Sequence, residues 1–431
     1  MNKNKYLSEM LKYSCLVILA IIMSCNDAAQ QPLKAVIQYV NNSDSIINDT
    51  TKVERETFNT TSSNIKTDSV SIKLAKGINF RLAVPHGYKI SIAAEGLQRL
   101  RFMALSPDGK LFCTDMYDRS DNKKGSVYIF DKWNCSLKKF EKITSYLTGL
   151  HNPNQVAFYK NYIYVAETER LTRYKYSSGD LQSKDSGEII ATFPDYGLSY
   201  KYGGWHLTRS LTFYNNKLYV SVGSSCNACI EKEEIRATVT EMNPDGSNKK
   251  IYSRGLRNSV AIKWIGNEMW ATTMGRDLIG PDKPEDQFLK VEKDGFYGWP
   301  YYFQYKSKVY EDGQFKDSLK PLFVKKPAVG FAGFKAHSAP LGFEYLKDFD
   351  DAYLRNSVLV CLHGSTTVSR QRGNSIVRVE GGNKYVEIVS GFLAGKTEKE
   401  RYGRPCDILM RDKSSFYFTD DLNGVLYYFY K

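Results

Sequence analysis

Apolar positions along this chain fall at every second residue in short runs, and polar turns break the runs at regular intervals. One phrase recurs: an apolar pair, a polar turn, then an alternating run rich in aromatic residues. It appears as MALSPDGKLFCTDM from Met103, NQVAFYKNYIYVAET from Asn154, RSLTFYNNKLYVSVGS from Arg209 and NSVAIKWIGNEMWATTMG from Asn258. Two looser copies are APLGFEY…SVLVCLHG from Ala339 and CDILMRDKSSFYFTDD from Cys406. Period-2 alternation predicts strands rather than helices, and Pro-Asp-Gly, Asn-Asn and Gly-Asn predict the hairpin turns between them. The copies recur at roughly 50 to 80 residues, the spacing of propeller blades and similar arrays. Six copies predict an all-β, six-bladed β-propeller over residues 76–431; a solenoid is the alternative. A small sheet cannot bury both of its faces alone, so neighbouring sheets pack face to face in a ring. The chain ends on the strand-like GVLYYFYK, and INFRLAVPHGYKISIAAEG, from Ile78, precedes the first copy. That early stretch is expected to supply the missing strand of the last blade and close the ring.

The first 75 residues depart from this pattern. Lys3, Lys5 and Lys12 precede an apolar core from Leu16 to Met23, which is too short to span a bilayer. Residues 1–24 therefore read as an export signal. Ile22-Met23-Ser24-Cys25 resembles a lipobox, which predicts lipid on Cys25 and a membrane-anchored lipoprotein facing the periplasm or the cell surface. Residues 25–75 are rich in Asn, Ser, Thr and Asp and have few aromatics, so they read as a disordered, flexible tether. The rest carries most of the 31 Tyr and 22 Phe, a composition that favours strands. The formal charge is +13 with no dominant Lys/Arg block. It reads as solvated surface, with a few arginines kept for an anionic ligand; export argues against nucleic acid as the partner. Of the cysteines after Cys25, Cys226 and Cys229 form a lone CNAC, without the two further ligands that a zinc site needs. A local disulfide or a pair of thiols is expected there.

Candidate chemistry gathers at one rim. In a propeller the loop entering each innermost strand faces the channel mouth. His206, in GGWHLTRSLTF, occupies such a loop before the third copy. Arg257 and Asn258 in RGLRNSV, His363 in CLHGS and Arg404 in YGRPCD hold corresponding places in other copies. Arginines collected at one mouth repel each other unless an anion offsets them, which predicts a polyanionic ligand. Arg209 is either a further cofactor partner or, at an offset of three from His206 along an extended segment, an inter-blade packing group. His337 in AHSAP and His151 in HNPN are lesser candidates.

GGWHLTRSLTF, RGLRNSVAIKWIGNEMWATTMGRD, PEDQFLKVEKDGFYGWP, HSAPLGFEY, LVCLHGS and YGRPCDILM occur in this order. Together they resemble the soluble quinoprotein sugar dehydrogenases, in particular their sorbosone-dehydrogenase-like branch. The resemblance runs from about residue 95 to the end. It implies a six-bladed propeller that holds pyrroloquinoline quinone (PQQ) and calcium at the channel mouth. It further implies His206 as general base, taking the hydroxyl proton of a sugar or sugar-derived aldehyde or alcohol while a hydride passes to the quinone. Arg257 would polarise the quinone oxygens, accompanied by Asn258. Arg404 and His363 would meet the cofactor, with Arg209 as a further contact, and the backbone carbonyls of Gly275 and Arg276 would bind calcium. Asp286 matches an acidic position placed to hold substrate or His206. Five positions depart from the pattern. Met274 stands in place of Asn or Gln, Gln287 of Glu, Cys406 of an arginine, and Thr366-Thr367 of Trp-Asn.

The chain has no CxxCH haem motif, so electrons would leave to an external acceptor. The rival readings are a non-catalytic propeller that binds carbohydrate or protein, and a metal-dependent lactonase. The lactonase would need carboxylates and Asn around a channel-centred calcium, whereas the residues gathered here are mostly basic.

Overall fold

A computed structural model describes residues 56–62, 65–194 and 206–431. Six four-stranded antiparallel units form a ring. Blade one comprises Leu100–Leu105, Leu111–Asp115, Gly125–Asn134 and Lys139–Leu150. Blade two comprises Gln155–Tyr159, Tyr162–Ala166, Arg170–Lys175 and Glu188–Thr192. Blade three comprises Arg209–Tyr214, Lys217–Val222, Thr238–Met242 and Lys250–Arg254, and its last strand also pairs in parallel with Gly295–Phe296. Blade four comprises Ala261–Ile265, Glu268–Thr273, Asp286–Val291 and Ala332–Phe334. Blade five comprises Pro340–Tyr345, Val358–Leu362, Ser375–Val379 and Tyr385–Val389.

Blade six closes the ring. Its strands Pro405–Asp412, Ser415–Asp420 and Val425–Tyr430 are completed by Lys89–Ala94, which pairs with Val425–Tyr430. The early strand is thus the outer strand of the last blade, as the sequence predicts. The innermost strands touch in order around the channel, and the first strand of blade six packs on that of blade one. All six copies of the sequence phrase coincide with the first two strands of a blade.

Six buried apolar clusters occupy the six junctions between neighbouring blades. Alternation along an inner strand therefore sorts side chains between two neighbours rather than between core and water. In Leu111–Asp115, which is buried throughout, Leu111 and Cys113 pack toward blade six while Phe112 packs toward blade two. In Tyr162–Ala166, Ile163 and Val165 face blade one while Tyr164 and Ala166 face blade three. Strands buried on both faces read as nearly continuous apolar runs.

The folded part begins before residue 76, a correction to the tether's boundary. Thr67–Lys73 pairs with Asn79–Pro85, and Ala83 bridges to Ser390 beside blade five. Further upstream, Phe58 sits among Trp270, Phe288, Phe331 and Tyr345, at the junction of blades four and five. The Arg378 guanidinium donates to the carbonyls of Asn59 and Thr61. One aromatic residue and a guanidinium anchor a segment whose polar composition predicts disorder. The export signal, Cys25 and most of the tether lie outside the described residues, as do Gly203, Gly204 and Trp205.

Candidate active site

A cavity of about 310 Å³ opens at the channel mouth, near the lower end of the roughly 300–1,000 Å³ common for small-molecule sites. His206, Arg257, Asn258, Gly275, Arg276, Asp286, His363 and Arg404 all line it, and so do Met274 and Thr366.

His206 stands three residues before the innermost strand of blade three and takes a left-handed backbone, φ 57°. Its ring stem lies on Gly223, where an added Cβ would come within 2.5 Å of the His206 Cβ and 2.8 Å of the Asn258 Oδ1. The imidazole Nδ1 is 2.9 Å from the Ser224 carbonyl oxygen and 3.0 Å from the Ser224 hydroxyl, which itself donates to the Cys226 carbonyl. A carbonyl oxygen only accepts, so Nδ1 carries the proton and Nε2 is the basic nitrogen of the neutral ring. Burial and the adjacent Arg257 hold the pKa well below the ordinary 6.5. The ring is a neutral base at neutral pH.

Arg257 is buried and fully directed. Its Nε donates to the Asn227 carbonyl at 2.9 Å, its Nη2 to Asn227 Oδ1 at 3.0 Å, and its Nη1 to the Gly275 carbonyl at 2.8 Å. Burial pushes it down to about 10, against the opposing pull of Asp277. Asn258 reaches the Met274 sulfur at 3.5 Å, so the departure at 274 places a thioether where the resemblance implies an amide. Arg404 donates to the carbonyls of His363 and Gly364, and burial pushes it down to about 9. His363 Nε2 meets Asp421 at 2.7 Å; burial and Arg404 lower it to about 3, so it too stays neutral.

Several residues take places that differ from their expected roles. Arg209 is fully buried and does not line the cavity. Its guanidinium donates to the carbonyls of His206, Thr208 and Pro194, which makes it a brace for the His206 loop and not a cofactor contact. Its offset from His206 turns it inward. Asp286 does not hold His206: its two oxygens accept the backbone N–H groups of Gly275 and Ala339, each at 2.8 Å. Burial raises it to about 6. Cys406, on the innermost strand of blade six, is fully buried against the apolar cluster of blades four and five and does not line the cavity. Cys226 and Cys229 form the expected local disulfide.

The sequence reading missed Arg99 and Arg101, which also line the cavity. Arg99 directly precedes the innermost strand of blade one, in a loop that enters its strand as the His206 loop does in blade three, so the repeat pointed to this loop though not to the residue. Asp421 lies behind them, 2.6 Å from Arg99 Nη2 and 2.6 Å from Arg101 Nη1. Burial alone would raise this carboxyl, but Arg99, His363 and Arg101 outweigh it and hold it well below the usual carboxylate range. His337, ranked as a lesser candidate, lines the cavity and bonds Asp277 through Nδ1 at 2.9 Å. That bond, with Arg257, keeps Asp277 low. His151 lies away from the cavity, between Asp121 and Glu169.

The charge balance decides what the cavity suits. Arg99, Arg101, Arg119, Arg257, Arg276 and Arg404 line it, against the two lining carboxylates Asp277 and Asp286, with Asp421 behind Arg99 and Arg101 and Asp312 paired with Arg276. The lowered pKa values of Arg257 and Arg404 mark guanidinium charge that the protein leaves under-compensated. A flat tricarboxylate such as PQQ fits this donor set and size. Calcium fits less well. The Gly275 carbonyl already accepts from the Arg257 guanidinium, and Asp286 is committed to two backbone N–H groups. Among the described residues, the one group of three metal-type donors is Cys226, Cys229 and Glu231, and those sulfurs are bonded to each other. Among the described residues, no three side-chain carboxylates converge, so side chains alone do not build an oxygen cage here.

No protein-family model matches the chain. A relative from Borreliella burgdorferi, described as an uncharacterized protein, is 26% identical over 381 residues, covering 83% of this chain and 92% of its own. Among solved structures, the holo PQQ domain of a pyranose dehydrogenase from Coprinopsis cinerea aligns with TM-score 0.64 at 15% identity, covering 82% of this chain and 97% of that one. The calcium structure of a Trichoderma reesei enzyme of carbohydrate-active family AA12 aligns at 0.65 and 15%, covering 80% and 96%. The PQQ-bound aldose sugar dehydrogenase of Streptomyces coelicolor aligns at 0.53 and 15%, covering 80% and 99%. The fold is that of the soluble sugar-dehydrogenase propellers. At such identity the likeness carries the architecture, and chemistry has to be argued from the cavity.

Proposed function

We propose that the protein is a PQQ-dependent dehydrogenase that oxidises a sugar or sugar-derived aldehyde or alcohol and passes the electrons to an external acceptor. The observation that carries this reading is the meeting, in one cavity, of six arginines with a neutral histidine whose basic nitrogen is Nε2. Bound there, PQQ supplies an electrophilic ortho-quinone able to accept a hydride. Arg99, Arg101 and Arg404 would hold its carboxylates. Arg257, locked by three hydrogen bonds, presents a fixed cation to developing negative charge. His206 Nε2 takes the substrate hydroxyl proton, and Ser224 holds the resulting imidazolium through Nδ1. Asp286 keeps the Gly275 and Ala339 backbones in place around the cavity.

Calcium enters this proposal as an ion held largely by oxygens of the bound anion. The engagement of the Gly275 carbonyl by Arg257 also favours a second reading, a non-catalytic propeller that binds an anionic carbohydrate. One experiment separates the two. The protein, purified without PQQ, is titrated with PQQ in calcium and in chelator, and dye reduction is followed over a sugar panel. Near-stoichiometric binding with sugar-driven dye reduction supports the dehydrogenase; sugar binding that needs no PQQ and drives no dye reduction supports the second reading. Membrane attachment through lipid on Cys25 is proposed on the sequence alone, and retention of a Cys25→Ser variant in the membrane fraction would refute it.

A further inference from the structure

The loop that leaves the second strand of blade three carries Cys226-Asn227-Ala228-Cys229, closed by its own disulfide over a sequence separation of 3. Asn227, inside that small ring, holds Arg257 on two sides: its carbonyl accepts from Nε at 2.9 Å and its side-chain oxygen from Nη2 at 3.0 Å. The same side chain is itself pinned. Oδ1 also accepts the Asp277 N–H at 2.7 Å, and Nδ2 donates to the Asp277 carbonyl at 3.0 Å. Trp299 Nε1 donates to the Asn227 carbonyl at 3.2 Å. The base of the loop is tied by Glu231, which accepts from the Ser225 N–H and hydroxyl at 2.7 and 2.6 Å.

A guanidinium is a planar fork, so two acceptors on one residue fix its rotation as well as its place. An asparagine in an open loop would spend backbone and side-chain freedom to do this. The disulfide removes that freedom from the loop in advance. We propose that Asn227, held by the Cys226–Cys229 disulfide, is the positioning residue that orients Arg257 toward the cavity. The inference rests on the reading of Arg257 as the group that meets the bound anion.

The test combines two readouts on the full chain. The first is the rate at which phenylglyoxal modifies Arg257, measured by peptide mass spectrometry with Arg404 as internal reference; it needs no cofactor. It is run on the wild type, on Asn227→Ala, on Asn227→Asp, which keeps both acceptors for Arg257 and adds a negative charge but loses the donor to the Asp277 carbonyl, and on the wild type after dithiothreitol. That treatment moves two electrons and two protons to the sulfurs, breaking their bond to give two thiols, while the reductant closes to its cyclic disulfide. A Cys226→Ser/Cys229→Ser variant serves where reduction is incomplete. Expected is a several-fold rise in Arg257 labelling in Asn227→Ala and in the disulfide-free protein, a smaller rise or none in Asn227→Asp, and unchanged labelling of Arg404. Unchanged Arg257 labelling overturns the proposal, and so does an equal rise at Arg404, which reports general loosening.

The second readout is PQQ affinity. Asn227→Ala should weaken it about tenfold, the order of one charge-assisted hydrogen bond, and should add nothing in an Arg257→Ala background. Additive losses in the double variant overturn the inference. A wild type that binds no PQQ refutes the cofactor reading, and the labelling pattern then judges Asn227 alone.

Discussion

His206 shows how much one backbone contact decides. Its Nδ1 faces the Ser224 carbonyl, which assigns the tautomer and makes Nε2 the base. Replacement by alanine should lower kcat by about a hundredfold or more, the usual range for loss of a general base, while PQQ affinity in a direct titration changes little. With burial and Arg257 holding its pKa well below 6.5, kcat/KM should stay flat through neutral pH and fall only on acidification below that value. An acid limb centred above pH 7 would point to another base. Gly223 is the second decisive residue. A Gly223→Ala variant places a methyl 2.5 Å from the His206 Cβ, so the ring must shift. Turnover should fall steeply while the melting temperature moves little, because the clash lies at the rim and not in a blade junction.

At the scale of elements, first and second strands were legible and the outer parts of blades were less so. Leu111–Asp115 and Tyr162–Ala166 are buried on both faces and announce themselves as aromatic, β-branched runs. The hairpin Tyr302–Tyr305 with Lys308–Glu311 is an excursion between the third and fourth strands of blade four, and no repeat signals it. The segment 56–62 is the clearest miss. Its composition is that of a tether, yet Phe58 fills an aromatic gap between two blades. Phe58→Ala should destabilise the propeller by about 2 kcal/mol, below the range for a fully buried Phe because this ring is half-buried. Urea unfolding followed by tryptophan fluorescence, to which the neighbouring Trp270 contributes, measures it; an unchanged midpoint would mean that the segment lies on the surface without holding it.

For the whole molecule, the ring brings guanidinium groups from different blades to one mouth, and the cost is visible in Arg257 and Arg404. Their folded pKa values, about 10 and about 9, lie below the ordinary 12.5. The unfolded chain therefore holds those protons more tightly. The penalty is present in full at neutral pH and is relieved as pH rises through about 9 and above. A bound polyanion removes the same penalty. PQQ, or a simpler tricarboxylate such as citrate, should raise the melting temperature at pH 7. A melting temperature indifferent to both ligands would show that Asp421 and Asp277 already balance the cavity.

The sequence by itself determined the strand-turn-strand phrase, its six copies, the borrowed closing strand and the loops that meet at the mouth. These follow from local rules: period-2 alternation, turn residues, and the burial that each blade needs from its neighbours. The tertiary structure decided which way side chains in those loops point. It turned Arg209 into the protein, set Asp286 on backbone N–H groups, and added Arg99 and Arg101 from blade one. It also tied Arg257 to Asn227 across a sequence distance of 30. A ring closes through contacts between residues far apart in the chain, and a side chain's partners, charge balance and protonation depend on those contacts.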